Sequence, residues 1–164
     1  MAETSKPSSE GPLQFGWRGD GLAYADRPCA YGLARRDDGR IALVRVVKDK
    51  GVWWDLPGGA IDPGEDEGMA LVREFLEETG LSVRPARLVA RADQFMVKTD
   101  GAPVNNLSSF YEVSIFGEDP ALKVEDDHTL EWWEAADAVR ALRHDSHAWA
   151  VAAWMRLTFA ESRR

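Results

Sequence analysis

The chain has 164 residues, of which 45% are hydrophobic and 29% charged, and its formal net charge is −8. This length suits one domain with a substantial core and leaves no room for two domains of average size. The acidic balance argues against a general binder of nucleic acid or of anionic membranes. No apolar run approaches the roughly 18 residues that indicate a membrane-spanning helix.

The N-terminus predicts a leader that precedes the folded unit. Residues 1–25 begin with the polar run MAETSKPSSEGP, which lacks the apolar segment of a secretory signal. We expect residues 1–25 to be mostly flexible and residues 26–164 to form a single domain. Cys29 is the single cysteine of the chain, so it cannot form an internal disulfide, and we expect it to be buried by packing. These features favour a soluble, cytoplasmic protein.

The first predicted elements are strands. Alternating and β-branched residues predict strands over 30–34 and 41–47, and the turn residues at 36–39 join them into a hairpin. A short extended segment over 52–56 leads into a proline followed by two glycines, at 57–59. Because glycine has no Cβ atom, the backbone there can approach a ligand or a metal ion closely.

The next predicted element is a helix over residues 66–79, which follows a proline–glycine turn and ends at Gly80. One face is apolar and is expected to dock on the core through Gly68, Met69, Leu71, Val72, Phe75 and Leu76. On the opposite face, Glu74, Glu77 and Glu78 lie close together. Like charges at these spacings repel, and the helix dipole disfavours anions in the last turn. A hard divalent cation would reverse the sign of these terms, so the helix predicts a functional site.

Downstream of this helix, the pattern returns to strands and then changes to helices. Strands are predicted over residues 87–97, 108–115 and 130–133, and helices over residues 135–142 and 146–159. Because strands come in runs and helices are few, a mixed sheet is expected in preference to a parallel one. The closing helix shows core spacing at Ala148, Val151, Ala152, Met155 and Phe159.

The stretch GAIDPGEDEGMALVREFLEETGL, residues 59–81, resembles the signature of the Nudix family. That signature consists of a glycine, a glutamate, an arginine–glutamate pair, a bulky apolar residue, two adjacent glutamates, a glycine and a last apolar residue. The fixed positions are filled here by Gly59, Glu65, Arg73, Glu74, Phe75, Glu77, Glu78, Gly80 and Leu81. An ordinary helix with a solvated acidic face does not explain this order of residues.

The resemblance implies an α/β fold, a Nudix-type α/β/α sandwich with a mixed central sheet. It also implies hydrolysis of a pyrophosphate bond in a nucleoside diphosphate-linked substrate, with Mg²⁺ or Mn²⁺ as the cofactor. Glu74 and Glu78 would be the main metal ligands, assisted by Glu77 and by the backbone carbonyl of Gly58. Arg73 would orient these carboxylates and would not touch the substrate. A bound ion can polarise a phosphoryl oxygen and lower the pKa of water.

The general base is left open by the sequence. Glu74 is the first candidate, and acidic residues on a distant loop compete with it, above all Glu125 and Asp126. The alternative for that loop is a solvated acidic turn without a role. The three histidines show no metal-ligand spacing and are assigned no role; they are His128, His144 and His147.

Substrate contacts rest on residue types near the signature. Arg45 lies on a strand expected to reach the substrate phosphates, and Gly59 lets backbone approach them. Trp53 and Trp54 are adjacent, so in an extended segment at most one of them can stack on a base, and we assign that contact to Trp54. Aromatic residues also serve as core residues, and that alternative remains open for these two.

The choice of substrate rests on features that the sequence lacks. ADP-sugar hydrolases of the family usually show a proline beyond the signature, and residues 86–102 contain none. Dinucleoside polyphosphate hydrolases tend to show a tyrosine there, and none occurs between Leu81 and Phe110. RNA pyrophosphohydrolases enter the signature through a proline–glutamine–glycine–glycine run, which the LPGG run of residues 56–59 replaces here. The remaining group resembles 8-oxo-dGTP diphosphatases, which release pyrophosphate from nucleoside triphosphates. NDP-sugars, dinucleoside polyphosphates and a non-catalytic nucleotide-sensing domain are the alternatives, and a homodimer is left open.

Overall fold

A computed structural model describes residues 11–163 of the chain. Within that range the strands are β1 (Leu13–Phe15), β2 (Ala25–Ala34), β3 (Ile41–Lys48), β4 (Gly51–Asp55), β5 (Gly58–Ala60), β6 (Leu81–Val97), β7 (Pro103–Glu118) and β8 (His128–Trp133). The helices are α1 (Glu67–Thr79), α2 (Ala135–Ala141) and α3 (Asp145–Glu161), with a short 3-10 helix over Pro120–Leu122. In the described part of the chain, no helix combines the length and apolar character needed to cross a membrane.

The strands form two sheets. The larger has the order β1-β6-β7-β2-β5 and the smaller has the order β4-β3-β8. The larger sheet is mixed, because β1 runs parallel to β6 and β2 parallel to β7, whereas β6 runs antiparallel to β7. The smaller sheet is antiparallel throughout. The predicted mixed sheet is therefore confirmed, and the separate smaller sheet is a feature that the sequence did not indicate.

Helices cover both faces of the larger sheet. Successive residues of β2 point to opposite faces, as a pleated strand requires: Leu33 packs in a core cluster with Val151 and Trp154 of α3, and Ala34 packs in a second cluster with Phe75 of α1. The order helix, sheet, helix is the α/β/α arrangement that the sequence predicts. Cys29 is fully buried in the first cluster, as expected.

Helix α1 begins and ends at the residues that local chemistry favours. The Asp66 side chain accepts a hydrogen bond of 2.8 Å from the backbone N–H of Met69, and Gly80 closes the helix with a φ of 74°. The predicted apolar face is only partly correct. Leu71 is buried, but Met69 is 55% and Val72 41% exposed. Met69 and Val72 therefore lie at the edge of the stripe, where they remain in solvent.

The core face of the C-terminal helix is only partly as predicted: Val151 is in the core, and Ala148 and Met155 pack against it. Ala150, Val151 and Trp154 are buried, whereas Phe159 is 62% exposed. The buried residues of α3 end at Trp154, so the predicted apolar spacing continues beyond the buried part of the helix.

Strand β1 falls within residues 1–25, where we expected a mostly flexible leader. Leu13, Gln14 and Phe15 pair with residues 92–94 of β6, and the Phe15 ring lies 6.1 Å from that of Trp149. This part of the expected leader therefore belongs to the larger sheet. Residues 1–10 of the same stretch lie outside the described residues.

Candidate functional site

A loop joins the distant acidic residues to the C-terminal end of α1. The last carbonyl groups of a helix have no partner within the helix. Here the backbone N–H groups of Val124 and Glu125 donate to the carbonyl oxygen of Glu77 at 2.9 and 3.1 Å. The Lys123 ammonium in turn donates to the carbonyl of Glu125. These bonds hold Glu125 beside glutamates from which it is far removed in sequence.

Carboxylates from the helix and the loop converge at this point. Glu74, Glu77 and Glu125 each offer an oxygen, and these atoms all lie within 4.8 Å of one another. Burial raises the pKa of Glu74 above its ordinary value, Arg73 opposes that shift, and the charges of Glu77 and Glu125 add to it. Oxygen ligands at such spacing are those that a hard divalent cation prefers. The donor set therefore fits Mg²⁺ or Mn²⁺.

Glu78 is the most buried of the four glutamates in the signature, with only 6% of the residue exposed. Its Oε2 accepts a hydrogen bond of 3.0 Å from the backbone N–H of Gly58. Burial raises its pKa well above the ordinary value, and this hydrogen bond only partly offsets the effect. Without a cation, ionising Glu78 is therefore costly.

Arg73 forms hydrogen bonds with glutamates of the signature. Its Nε and Nη2 donate to the two oxygens of Glu65 at 2.7 and 2.9 Å, and its Nη1 donates to Oε1 of Glu74 at 2.9 Å. Nη2 also donates to the carbonyl of Ala60 at 3.0 Å. The Arg73 hydrogen bonds lower the pKa of Glu65 to about 2. This fork, held on both sides, has the geometry that an orienting role requires.

The two glycines before the helix allow the close approach of backbone and carboxylate. A Cβ atom on Gly59 would lie 2.8 Å from Oε1 of Glu74, and one on Gly58 would lie 2.2 Å from the carbonyl oxygen of Ala30. Gly58 also has a φ of +133°, which L side chains rarely adopt. In this structure Gly58 contacts the site through its N–H, and its carbonyl as a metal ligand remains a prediction.

The loop supplies one residue that the sequence did not single out. His128 Nδ1 lies 2.9 Å from Oε2 of Glu125 and 2.7 Å from Oδ1 of Asp127, and its Nε2 lies 3.4 Å from Oε1 of Glu78. Asp126, the other predicted loop base, is exposed and belongs to neither candidate ligand group. No spacing pattern could have found His128, because the fold alone brings it to Glu78.

Of the predicted substrate contacts, Arg45 and Trp54 lie on the smaller sheet and Gly59 lies on β5 of the larger sheet. Arg45 Nε is 4.0 Å from Oε1 of Glu131, whose Oε2 accepts a hydrogen bond of 2.8 Å from Nε1 of Trp54. The Trp54 ring lies edge-on to that of Trp133 with 5.6 Å between centroids, and Trp54 packs against the core. The structure thus gives Trp54 a packing role, and its contact with substrate remains a prediction.

A polar cavity opens directly beside Glu78. Its volume is about 140 Å³, and Gly58 and Gly59 form part of its wall. The remaining lining includes Arg27, Tyr31, Asp55, Met96, Asn106, Arg143, His144 and His147. The cavity therefore places hydrogen-bond donors and acceptors next to the acidic cluster, as a ligand-binding site requires.

Comparison with known proteins gives a consistent result. The family model described as the NUDIX domain matches residues 26–155. An RNA pyrophosphohydrolase from Novosphingobium aromaticivorans is 38% identical over 73 residues, which are 44% of each chain. A putative 8-oxo-dGTP diphosphatase from Bacillus subtilis is 60% identical over 38 residues, 23% of this chain and 26% of that protein. In both cases the matched stretch spans less than half of the relative's own length.

Solved structures share the fold over a larger part of the chain. A NUDIX hydrolase from Nitrosomonas europaea superposes with a TM-score of 0.70 at 21% identity, covering 80% of this chain and 89% of that one. A MutT NUDIX hydrolase from Burkholderia pseudomallei superposes with a TM-score of 0.60 at 28% identity, covering 77% and 96%. At 21% identity, the likeness to the Nitrosomonas europaea structure shows the fold alone.

Proposed function

Because the chain belongs to the Nudix family, we propose that it hydrolyses a pyrophosphate bond in a nucleoside diphosphate-linked substrate, using Mg²⁺ or Mn²⁺. The observation that carries this proposal is the convergence of Glu74, Glu77 and Glu125, whose oxygens lie within 4.8 Å of one another. Arg73 offsets part of the repulsion among these carboxylates, and a divalent cation between them would offset the rest. A nucleotide-sensing domain without activity would not need the complete set, which this chain retains.

The residues divide the work in the following way. Glu74, Glu77 and Glu78 would hold the cation together with the carbonyl of Gly58, and Arg73 keeps Glu74 in place through its hydrogen bond to Oε1. When bound, the cation neutralises phosphate charge and lowers the pKa of an attacking water. The proton of that water goes to a carboxylate, either Glu74 or the loop residue Glu125. We favour Glu125 over Asp126 on the loop because only Glu125 lies in the acidic cluster.

We further propose that the substrate is a nucleoside triphosphate, cleaved to the monophosphate and pyrophosphate. The relatives named as putative 8-oxo-dGTP diphosphatases support this class. The triphosphate end of an RNA is the second candidate, supported by the relatives named RNA pyrophosphohydrolase. The net charge of −8 favours the smaller substrate, because a polyanionic RNA gains nothing from an acidic protein. NDP-sugars and dinucleoside polyphosphates remain further alternatives.

The experiment is a substrate panel with Mg²⁺ and with Mn²⁺. The panel contains the nucleoside triphosphates, 8-oxo-dGTP, an NDP-sugar, a dinucleoside polyphosphate and a short RNA with a 5′ triphosphate. We expect pyrophosphate release from a nucleoside triphosphate at the highest kcat/KM. Hydrolysis of none of these substrates would contradict the proposed function. Faster hydrolysis of the RNA would keep the reaction and change the substrate. A cytoplasmic location and a homodimer are tested separately, by fractionation and by sedimentation.

A further inference from the structure

His128 is held in a fixed position against the acidic cluster. It is the first residue of β8, and its backbone N–H donates to the carbonyl of Glu125 at 3.2 Å. The preceding residue is also anchored, since the carbonyl of Asp127 accepts a hydrogen bond of 3.0 Å from the backbone N–H of Val47. Only 12% of the His128 side chain is exposed. Its imidazole ring therefore lines the site in a fixed position.

The two nitrogens of this ring have different surroundings. Nδ1 lies 2.7 Å from Oδ1 of Asp127 and 2.9 Å from Oε2 of Glu125, so its proton is donated to a carboxylate. Nε2 makes no hydrogen bond with any residue in the described part of the chain, and it faces Oε1 of Glu78 at 3.4 Å. In this tautomer the lone pair of Nε2 points towards the carboxylates. A histidine whose other nitrogen is fixed by a carboxylate is the usual form of a metal ligand.

With the ring proton on Nδ1, the facing oxygen of Glu78 receives no proton from His128, although Nε2 lies only 3.4 Å away. Glu78 is 6% exposed, and among the described residues its Oε1 accepts no hydrogen bond, while Oε2 is used by Gly58. Glu78, Glu125 and His128 each offer one ligand atom, and the three atoms lie within 4.8 Å of one another. Bond lengths to a divalent ion of roughly 2.0–2.2 Å need only small side-chain movements from this arrangement.

We propose that His128 is a metal ligand, and that with Glu78 and Glu125 it forms a mixed nitrogen and oxygen site for a transition-metal ion. The inference rests on the proposed function, because it concerns the ions that function uses. Mg²⁺ prefers oxygen ligands, whereas an imidazole nitrogen strengthens the binding of transition-metal ions. The selectivity of this site for Mn²⁺ over Mg²⁺ is therefore greater than that of a site built from glutamates alone.

The test is pulsed EPR of Mn²⁺ bound to the full chain, measured with and without a non-hydrolysable nucleotide. Nitrogen coupling to the Mn²⁺ electron spin should appear in protein of natural isotope content. It should change to the ¹⁵N pattern when only histidine is ¹⁵N-labelled, and it should disappear in the His128→Gln variant. The labelled parent protein answers the question even if this variant does not fold.

Metal selectivity gives a second readout. The ratio of the Mg²⁺ Kd to the Mn²⁺ Kd should fall about tenfold or more in His128→Gln. Mutating even a residue that only hydrogen-bonds to a metal ligand lowers metal affinity by roughly 10- to 100-fold. The neighbouring Thr129→Val, at an exposed position of the same strand, is the control and should keep the parent ratio.

The outcomes separate this inference from the proposed function. Bound Mn²⁺ without histidine coupling, or coupling that persists in His128→Gln, overturns the role of His128 and leaves the function standing. Failure of the parent chain to bind Mn²⁺ under either condition overturns both.

Discussion

Two buried polar clusters lie close together in this molecule, and they differ in how their charges are balanced. At the end of β4, Asp55 is held by Arg143, whose Nη2 donates to Oδ2 at 2.5 Å and whose Nε donates to Oδ1 at 3.3 Å. Burial raises the pKa of Asp55, and the Arg143 charge acts against that shift. At the end of α1, burial raises the pKa of Glu78, and a single backbone N–H opposes it.

The difference separates a structural cluster from a ligand site. Asp55 already has its counter-charge, and the Arg143 backbone N–H also donates to the carbonyl of Trp54 at 3.0 Å, so the cluster ties the connection between α2 and α3 to β4. The carboxylates around Glu78 instead repel one another, and the protein relieves only part of that repulsion, through the pairing of Arg73 with Glu74 and Glu77. Removing a charge should therefore weaken the fold at the first cluster, and should weaken only metal binding and catalysis at the second.

The largest expected effect is that of Glu78→Gln. Loss of this carboxylate should lower kcat/KM by at least about 100-fold, because a ligand of the ion is lost. The metal-free variant should be at least as stable as the parent, since a costly buried charge is gone. Steady-state kinetics and thermal unfolding in a chelator measure the two effects. A rate within a few-fold of the parent would contradict the assignment of Glu78 as a ligand.

The stability of this variant should also depend on pH in a definite direction. The folded pKa of Glu78 is raised, so its ionisation destabilises the fold. This penalty is absent below the ordinary glutamate pKa of the unfolded chain and is complete above the raised folded value. Glu78→Gln should therefore gain most over the parent at neutral and alkaline pH, and the gain should vanish at acidic pH. A gain that grows on acidification would show the opposite sign.

In the cluster of Asp55 and Arg143, Arg143→Ala should destabilise the protein. It leaves Asp55 buried without its partner, which costs about 1–3 kcal/mol, and the partial exposure of Arg143 keeps the effect below that of a fully buried pair. Chemical denaturation in a chelator measures it. Arg140→Ala, which breaks the exposed pair with Asp137, is the control and should change stability by less than about 1 kcal/mol. Equal losses for the two variants would remove the distinction between the clusters.

Smaller kinetic changes are expected for two arginine variants, and they distinguish the roles of these residues. Arg73→Ala frees Glu65 and Glu74, so it should lower kcat and weaken Mn²⁺ binding by about tenfold. Arg45→Ala, if Arg45 contacts substrate phosphates before and during the reaction, should mainly raise KM. Full kinetic curves and metal titrations distinguish the two patterns. The same kinetic signature in both variants would count against this division.

The two clusters also show what the sequence could predict. The helix over 66–79 matches α1, and the Glu74, Glu77 and Glu78 face was visible, because helix periodicity and end signals are local. His128 was missed because its contact with Glu78 depends on the antiparallel pairing of β8 with β3 and on the loop bonds to α1. The prediction for α3 was right at Val151 and wrong at Phe159, because apolar spacing does not show which turns of a helix have a packing partner.

The central claim is that the acidic cluster is incomplete without a cation. The most direct measurement is the melting temperature of the parent and of a Glu74→Gln, Glu78→Gln double variant, with and without Mn²⁺. Binding to the native state stabilises by about 2.7 kcal/mol at a hundredfold excess over Kd, and each kcal/mol shifts Tm by roughly 2–4 °C for a chain of this size. The account predicts a rise of several degrees in the parent and a much smaller one in the double variant. A parent Tm indifferent to millimolar Mn²⁺, even with a non-hydrolysable nucleotide present, would contradict it.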